Sequence, residues 1–403
     1  MNRLKYLLFL ILIVGFGSIF ENFYSRFVQI IELLVIVLLL INKKTVKFKG
    51  SYREYLFIIY LCVLLSMVFT GSSITDYTSL LLRPIFAILI LAVFDYKYDN
   101  IKFYFKKVLW AIAWLAAVNW FLVSFFPGLF RIAISSSGFQ INTIFYVFNY
   151  LSTAYTERFG IGFYRNQGIF WEPGVLEIMM NILVYIELFE YREKIKKIFL
   201  PAIIIISTSS TSGYILFAAL LGLRYYEQLK IGKGFKKKFS TILAAVFIIG
   251  SFTPLLINEI AFKTSTGVDS ANMRQYDMLM GLAIIKDNPI FGIGPNKNRY
   301  IAETNKYQII VGENVTYDTR ASSNVFTTLF ASFGIPFALL FIFSLYRQNI
   351  FTKKKFFFII IFVGLMSEPV VFVDLYFLWI MSGTYKPKNS QMLEGKVGGI
   401  IIK

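Results

Sequence analysis

Residues 164–189 read YRNQGIFWEPGVLEIMMNILVYIELF, and this stretch sets both the fold class and the candidate site. Its first part, Tyr164–Gly174, gathers an arginine, two amides, a glutamate and a Pro-Gly pair. Its second part, Gly174–Phe189, is an apolar run of the kind that spans a membrane. A charge held at membrane depth is costly and usually marks a substrate path or a catalytic group. The polar segment is therefore a candidate site directly before a membrane helix.

The composition extends this reading to the whole chain. Of 403 residues, 57% are hydrophobic and 16% are charged, whereas soluble domains carry about 25% charged residues. We therefore predict a single transmembrane domain over residues 1–403. The net charge of +18 comes from basic residues in short runs between apolar segments. That pattern reports membrane topology and does not indicate a nucleic-acid partner.

The chain contains no histidine. This excludes histidine-ligated zinc, Ser-His-Asp and Cys-His sites, and any histidine base. Acid–base chemistry must come from Asp, Glu, Tyr or Lys. No Asp-x-Asp metal motif is present, so we expect no metal or other cofactor, and activity retained in excess chelator.

Apolar runs recur along the chain and should all be helices, since no alternating barrel pattern is present. They lie at about Tyr6–Phe20, Val28–Ile41, Tyr55–Thr70, Ser79–Phe94, Val108–Phe126, Gly174–Phe189, Ile198–Gly222, Thr241–Ile257, Asn324–Tyr346 and Phe356–Met381. The first run lacks a small-residue cleavage site, so we expect a retained span and not a signal peptide.

The basic clusters orient these runs. If every cluster lies in the cytoplasm, the short segments near Glu21 and Gly71 face outward, together with two long loops, Pro127–Pro173 and Asn258–Ser323. Two runs then have basic clusters at both ends and a polar centre, Ser207–Gly213 in one and Ser367–Pro369 in the other. Each is predicted to be a broken or re-entrant hairpin; one long helix that violates the charge rule is the simpler alternative.

The resulting fold class is an all-α polytopic membrane protein. It has about twelve transmembrane helices, including the two broken hairpins, and two long external loops, residues 127–173 and 258–323. Both termini are expected in the cytoplasm. Aromatic and aliphatic residues at helical spacing in the first loop, such as Phe139, Ile144, Phe145 and Phe148, suggest an interfacial helix.

Glu172 is the first candidate for chemistry. Pro173 suits the first turn of a helix, so Glu172 falls at its N-cap, where the helix dipole favours an anion. It is either a capping glutamate paired with Arg165 or Arg158, or a general base or substrate-orienting carboxylate with Arg165 on a phosphate. Asn166 and Gln167 complete the cluster.

Two further motifs lie in or after the second loop. Asp287–Asn296 contains a Gly-x-Gly that either exposes amides as a phosphate nest or makes a plain turn. It follows an amphipathic helix, Ala271–Ile285, that bears Arg274 and Asp277. Arg320–Asn324 precedes a span that Gly334-Ile335-Pro336 should kink or break.

Arg83 lies about one turn inside the Ser79–Phe94 run. An arginine at that depth needs a partner. Arg83 either forms a structural ion pair within the protein or binds a lipid phosphate, and the sequence favours neither alternative.

At these motifs the chain resembles the O-antigen and capsule polymerase family, within the wider O-antigen ligase-like superfamily. Arg165–Phe170 with Glu172–Gly174 looks like its Arg-x-x-Gly…Glu-Pro-Gly segment, and Asn288–Pro295 looks like its Asn-Pro-x-x-Gly-x-Gly loop. Ser323-Asn324 followed by Phe333–Pro336 looks like its third element, an Asn…Gly-(Ile/Leu) span. The Ser207–Gly213 break matches a polar Ser-rich step in the family. The resemblance covers about residues 150–340.

One departure separates the relatives. The ligases of the superfamily carry a histidine just before the asparagine of the third element, where this chain has Ser323. The resemblance therefore favours a polymerase over an O-antigen ligase. A lipid-linked oligosaccharide flippase is a further alternative, although the chain shows none of the internal repeats typical of transporters.

The resemblance implies glycosyl transfer on the outer side of the bacterial inner membrane. The donor is a glycan on polyprenyl diphosphate, and the acceptor is a sugar hydroxyl on another lipid-linked repeat unit. Glu172 and Arg165 are the expected catalytic residues; the expected substrate contacts are Arg158, Asn166, Gln167, Arg274, Asp277, Arg299, Arg320 and Asn324. Expected partners are these lipid-linked oligosaccharides and membrane lipids, with a chain-length regulator protein as a candidate.

Overall fold

The structure of the chain is a computed structural model. The structure describes residues 1–43, 45–135, 140–152, 155–158, 161–231, 268–307, 309, 322, 324–368, 370 and 372–385. Side chains are not described for residues 155–158, 161–162, 230–231, 268–271, 273 and 367. The predicted span at Thr241–Ile257 and the tail after residue 385 lie outside the described residues.

The described residues are mostly helical, as predicted. The helices are α1 Asn2–Val14, α2 Ile19–Ile41, α3 Tyr52–Thr70, α4 Thr78–Val93, α5 Tyr98–Phe125, α6 Pro173–Tyr185, α7 Phe199–Ser207, α8 Thr211–Ile231, α9 Val268–Asp287, α10 Lys297–Thr304, α11 Val325–Tyr346, α12 Lys354–Ser367 and α13 Asp374–Ser382. Short 3₁₀ turns occupy Ile74–Tyr77, Pro127–Leu129 and Ile195–Ile198, and a π-helical turn, Ile186–Glu190, extends α6.

Five helical segments within the described part of the chain are long and apolar enough to cross a membrane. They are Ile19–Ile41, Tyr52–Thr70, Ile74–Val93, Tyr98–Phe125 and Val325–Tyr346. The chain is thus consistent with a polytopic membrane protein, while the total of about twelve spans stays a prediction.

Helix α6 forms the centre of the bundle. Every residue from Pro173 to Phe189 is buried, and α5, α7, α8 and α12 pack around it. A helix that is apolar on all sides has to be enclosed in this way. The polar segment that precedes α6 therefore leads into the middle of the molecule.

Both runs with polar centres are broken where the sequence placed the break. Helix α7 ends at Ser207 and α8 begins at Thr211, with Ser209 in left-handed backbone (φ 51°) between them. Helix α12 ends at Ser367 and α13 begins at Asp374. Helices α7 and α13 have nine residues each, about 14 Å at 1.5 Å per residue, so neither spans a bilayer core of about 30 Å alone.

The first long loop corrects the interfacial-helix prediction. It forms short antiparallel strands: β1 Arg131–Ile134, β2 Gln140–Ile144 and β3 Phe148–Tyr150 in one sheet, β4 Tyr155–Arg158 and β5 Ile161–Tyr164 in another. Ile144 and Phe148 pair across a turn at Phe145 and Tyr146, and Phe139 lies outside the described residues. Alternating burial in β2 and its β-branched residues favour a strand. The fold is therefore not purely helical.

The second loop forms backbone hydrogen bonds with a kink in α11. Gly334 has non-helical backbone (φ 76°, ψ 171°) two residues before Pro336, as the sequence predicted. The chain around Asn288–Gly294 supplies partners for the groups freed by the kink: Ile293 N donates to Ala331 O at 2.9 Å, and Ile335 N donates to Pro289 O at 2.8 Å. Exposed backbone at membrane depth needs such partners.

Contacts group the loops at two ends of the bundle. At one end Ile19 N donates to Ile169 O at 2.9 Å, and Asn296 Nδ2 donates to Asp76 Oδ1 at 3.0 Å. At the other end Ser51 N donates to Thr384 O at 3.1 Å. The segments predicted to face outward thus share one end, which we call the Glu172 end. Which side of the membrane it faces stays a prediction.

Candidate active site at the N-terminus of the central helix

Glu172 is the N-cap residue of α6, with extended backbone (φ −136°, ψ 148°), and Pro173 follows at the first helical position. This confirms the predicted placement of both residues. The Glu172 side chain is exposed and does not accept a capping hydrogen bond from the helix. Its carboxyl group therefore has a position at the helix terminus without serving as the usual cap.

A second glutamate, Glu368, reaches Glu172 from the break between α12 and α13. The two side chains are within hydrogen-bonding reach of each other. Glu368 is 4% exposed, and a Cβ on Gly174 would overlap its Oε1 atom. Among the described residues Glu368 Oε2 has no hydrogen-bond partner. Glycine at position 174 thus lets a buried carboxyl lie against the first turn of α6.

Glu177 lies one turn deeper in α6 and is fully buried. Its Oε1 accepts a hydrogen bond from Ser212 Oγ at 2.9 Å, and a Cβ on Gly213 would overlap its Oε2. Asn181 Nδ2 donates to Gly213 O at 3.3 Å. The start of α8 is therefore fitted to the Glu177 side of α6, and Glu177 is close enough to Glu368 to influence its charge.

Of the two candidate arginines, one interacts with these carboxyl groups and the other lies against a helix break. Arg274 on α9 is exposed and interacts electrostatically with Glu368. Arg165 lies against the break between α7 and α8, where its Nε donates to Thr208 O at 2.8 Å. Three segments distant in sequence thus meet at the N-terminus of α6: the Arg165–Gly174 segment and the two broken runs.

The arrangement suits acid–base chemistry next to a bound anion. Two carboxyl groups in hydrogen-bonding reach share a proton more readily than they both ionise. Such a pair can supply both a base and an acid without any histidine. Guanidinium groups bind phosphate oxygens in a planar, bidentate geometry, which Arg274 and Arg165 can supply at this end of α6.

Asn166 and Gln167 belong to the framework of the site. Asn166 is buried, and its Nδ2 donates to Ser207 Oγ at 2.9 Å and to Ala116 O at 3.1 Å. Gln167 is also buried; its Nε2 donates to Phe170 O at 3.1 Å, and its Oε1 accepts from Leu151 N at 3.2 Å. Both amides hold the Arg165–Glu172 segment in place, so substrate contact by either stays a prediction.

Arg299 and Asn324 occupy other positions at the Glu172 end. Arg299 Nη1 donates to Thr70 O and, at 3.3 Å, to Ser72 Oγ, joining α10 to the end of α3. Asn324 is the N-cap of α11, and its Oδ1 accepts from Thr327 N at 3.2 Å. Asp277 is buried on α9, within electrostatic range of Tyr300. Their predicted substrate contacts remain untested.

The Gly-x-Gly loop is not a phosphate nest. The amides that would face an anion already donate to carbonyl groups: Gly292 N to Asn288 O at 3.2 Å, Ile293 N to Ala331 O at 2.9 Å and Gly294 N to Ser332 O at 2.8 Å. The plain turn was the correct alternative. Nearby, partial burial and the hydrogen bond that Tyr307 donates to Asp287 raise the pKa of Tyr307 to about 12.

Two of the predicted contacts cannot be placed. Arg320 lies outside the described residues, and Arg158 is described only as backbone at the end of β4. Conversely, the sequence reasoning did not single out Glu177 or Glu368 as site residues. The signal was present, since each is an acidic residue inside an apolar run, and such residues are functional candidates by default.

Comparison with known protein families identifies one part of the chain. Residues 198–342 match the family model Wzy_C, described as O-Antigen ligase. The chain carries an O-antigen ligase-like domain. The resemblance drawn from the motifs is thus confirmed at the level of the superfamily. The comparisons with curated proteins and with solved structures gave no match.

The O-antigen ligase-like domain covers only part of the candidate site. The matched segment contains the break between α7 and α8, together with Arg274, Arg299 and Asn324. Arg165, Glu172 and Glu368 lie outside it. Among the described residues, no group of three or more His, Cys, Asp or Glu is arranged to hold a metal ion.

Proposed function

We propose that this protein polymerises oligosaccharide repeat units carried on polyprenyl diphosphate, as a metal-independent glycosyltransferase of O-antigen or capsule synthesis. The observation that carries the proposal is the pairing of exposed Glu172 with buried Glu368 at the N-terminus of α6. The O-antigen ligase-like domain supports membrane glycan synthesis in general.

In the proposed reaction, an acceptor hydroxyl oxygen attacks the anomeric carbon of the donor glycan. The new carbon–oxygen glycosidic bond forms while the bond between the anomeric carbon and the diphosphate oxygen breaks. The electron pair of the broken bond leaves with the polyprenyl diphosphate. The hydroxyl proton passes to Glu172, whose exposure gives it access to the substrate.

Neighbouring groups define the other roles. Glu368 orients Glu172 and, as its hydrogen-bonding neighbour, exchanges a proton with it during the reaction. Arg274 and Arg165 stabilise the negative charge that develops on the diphosphate as it leaves. The breaks in the two runs keep the helices from sealing this end of α6, so that two lipid-linked substrates can meet there.

An O-antigen ligase is the second candidate, because that is the description of the matching family model. A ligase would transfer finished chains to a different acceptor. The absence of histidine from the whole sequence favours the polymerase, since the resemblance places the ligase base at the position of Ser323.

We further propose that the Glu172 end faces outward from the bacterial inner membrane, with both termini in the cytoplasm. The basic clusters near Lys43 and Lys353 lie at the opposite end, where Lys43 pairs with Asp95 and Lys353 with Glu227. This matches the positive-inside rule. A chain-length regulator protein is a proposed partner.

Replacing Glu172 tests the proposal. In cells or vesicles that carry Glu172→Gln, we expect glycan chains to collapse to single repeat units, with activity reduced by about 10²–10⁴-fold and protein abundance unchanged. Glu54→Gln is the matched control, since Glu54 is an exposed glutamate in the first turn of α3. Unchanged chain length in Glu172→Gln would show that Glu172 is only a helix-terminal residue. Glycan chains of normal length that are not transferred to a final acceptor in Glu172→Gln would favour the ligase.

A further inference from the structure

A polar cavity of about 330 Å³ opens beside the candidate active site. It lies between the α1–α2 connection, α4 and the chain that leads from Glu368 to α13. Its lining includes Glu21, Asn22, Ser25, Arg83, Trp171 and Phe372. Trp171 directly precedes Glu172, and Val370, also in the wall, is two residues after Glu368. The cavity wall therefore includes residues that are close in sequence to both members of the proposed carboxyl pair.

The charges around the cavity do not suit a phosphate. Arg83 is the sole cation among the described lining residues, and its Nε lies 3.6 Å from Asp374 Oδ2. Asp374 also contacts Glu32, which is 2% exposed. Glu21 adds a third carboxyl group within electrostatic range of Arg83. The guanidinium is thus already balanced by carboxyl groups, which favours its structural pairing over lipid-phosphate binding.

The same lining suits a neutral sugar ring. Carboxylate, amide and hydroxyl side chains accept and donate hydrogen bonds to sugar hydroxyl groups, while Trp171 and Phe372 supply aromatic faces for the apolar side of a ring. Ligand pockets usually measure about 300–1,000 Å³. A cavity at the lower limit admits a terminal sugar and not a whole lipid-linked repeat unit.

We propose that this cavity binds the terminal sugar of the acceptor and thereby presents its hydroxyl group to Glu172. The inference rests on the proposed polymerase function. The donor must place its diphosphate near Arg274 and Arg165, whereas the acceptor reacts through a neutral sugar hydroxyl. The cavity without a free cation, adjacent to the proposed base, is the position that matches the acceptor.

Gly15 is a position from which a larger side chain can fill the cavity. It lines the cavity and ends α1 with ordinary right-handed backbone (φ −69°, ψ −1°). A Cβ at Gly15 would meet only Ile11 O at 3.4 Å and Leu12 O at 3.8 Å. Gly222 is the matched control: it is exposed on α8, and a Cβ there would meet nothing within 4 Å.

The experiment compares Gly15→Leu, Gly222→Leu and the unchanged full-length protein in lipid nanodiscs. Two probes are titrated: the repeat-unit oligosaccharide released from the lipid of the same strain by mild acid, and inorganic diphosphate. We expect the oligosaccharide to bind about tenfold or more weakly to Gly15→Leu than to the other two proteins. Diphosphate should bind all three proteins equally. Equal oligosaccharide binding by all three would overturn the proposal, as would a diphosphate site lost only in Gly15→Leu.

A second variant guards against misfolding of Gly15→Leu. Glu21→Gln changes a different wall of the cavity and keeps the side-chain size, and it should also weaken oligosaccharide binding; unchanged binding would count against the cavity. Polymerisation is measured separately in vesicles. Cavity-dependent oligosaccharide binding without chain growth would contradict the polymerase function alone, whereas chain growth with cavity-independent binding would contradict the acceptor site alone.

Discussion

The two ends of helix α6 both bury glutamates, but they treat them in opposite ways. Beyond its C-terminus, Glu187 accepts hydrogen bonds from Lys106 Nζ at 3.1 Å and from Trp110 Nε1 at 2.6 Å. Glu190 lies 2.9 Å from Lys102 Nζ. At the N-terminus, Glu368 instead faces another carboxyl group, Glu172, and a glycine.

The difference separates a structural connection from a site. A buried carboxylate that has a lysine and a further donor is neutralised locally, and it joins α5 to the end of α6. A buried carboxyl with an oxygen that has no partner among the described residues is costly to fold. Such groups cluster at functional sites. The Glu172 end is therefore the end at which chemistry is expected.

The largest effect on the Glu172 end is expected for Glu368→Gln. We expect polymerisation to fall by about 10²–10⁴-fold, because the amide keeps the shape of the side chain but cannot exchange a proton with Glu172. Thermal stability should stay the same or rise, since a buried carboxyl is removed. Initial rates of chain extension in vesicles and thermal unfolding of the purified protein measure the two effects. Full activity would remove Glu368 from the site.

At the C-terminal end of α6, substitution of a buried glutamate should lower the stability of the protein. Glu187→Ala leaves Lys106 and Trp110 Nε1 without their acceptor inside the bundle, which should cost about 3–5 kcal/mol of unfolding free energy. Glu172→Ala, at the exposed end, should cost less than about 0.5 kcal/mol. Thermal unfolding in one detergent, followed by tryptophan fluorescence, compares them. Equal losses of stability would mean that the two ends do not differ in kind.

A smaller effect is expected for Gly174→Ala. The added methyl would overlap Glu368 Oε1 and should cost about 1–3 kcal/mol through overpacking, with loss of activity as the carboxyl pair separates. Gly222→Ala adds the same methyl group where nothing lies within 4 Å, so it serves as the control. If Gly174→Ala is as stable and active as Gly222→Ala, the close packing of Glu368 on α6 has no functional role.

Local signals in the sequence were sufficient to predict where several helices begin, break or kink. The polar centre of Ser207–Gly213 predicted the break before α8, Pro173 predicted the start of α6, and Gly334 with Pro336 predicted the kink in α11; the structure shows all three. Each depends on the backbone preferences of one or two residues. The strands of residues 131–164 were missed because their aromatic and aliphatic spacing suits a helix as well as a strand.

The sequence by itself determined a mostly helical membrane protein with Glu172 at the start of a buried helix. Only the tertiary structure decided which distant residues complete that position. Glu368 reaches Glu172 because Gly174 has no side chain. The Asn166 side chain donates its hydrogen bonds to Ser207 and Ala116 within the bundle. The physical reason is that hydrogen-bond partners and buried charges are settled between helices far apart in sequence, where periodicity and turn preferences carry no information.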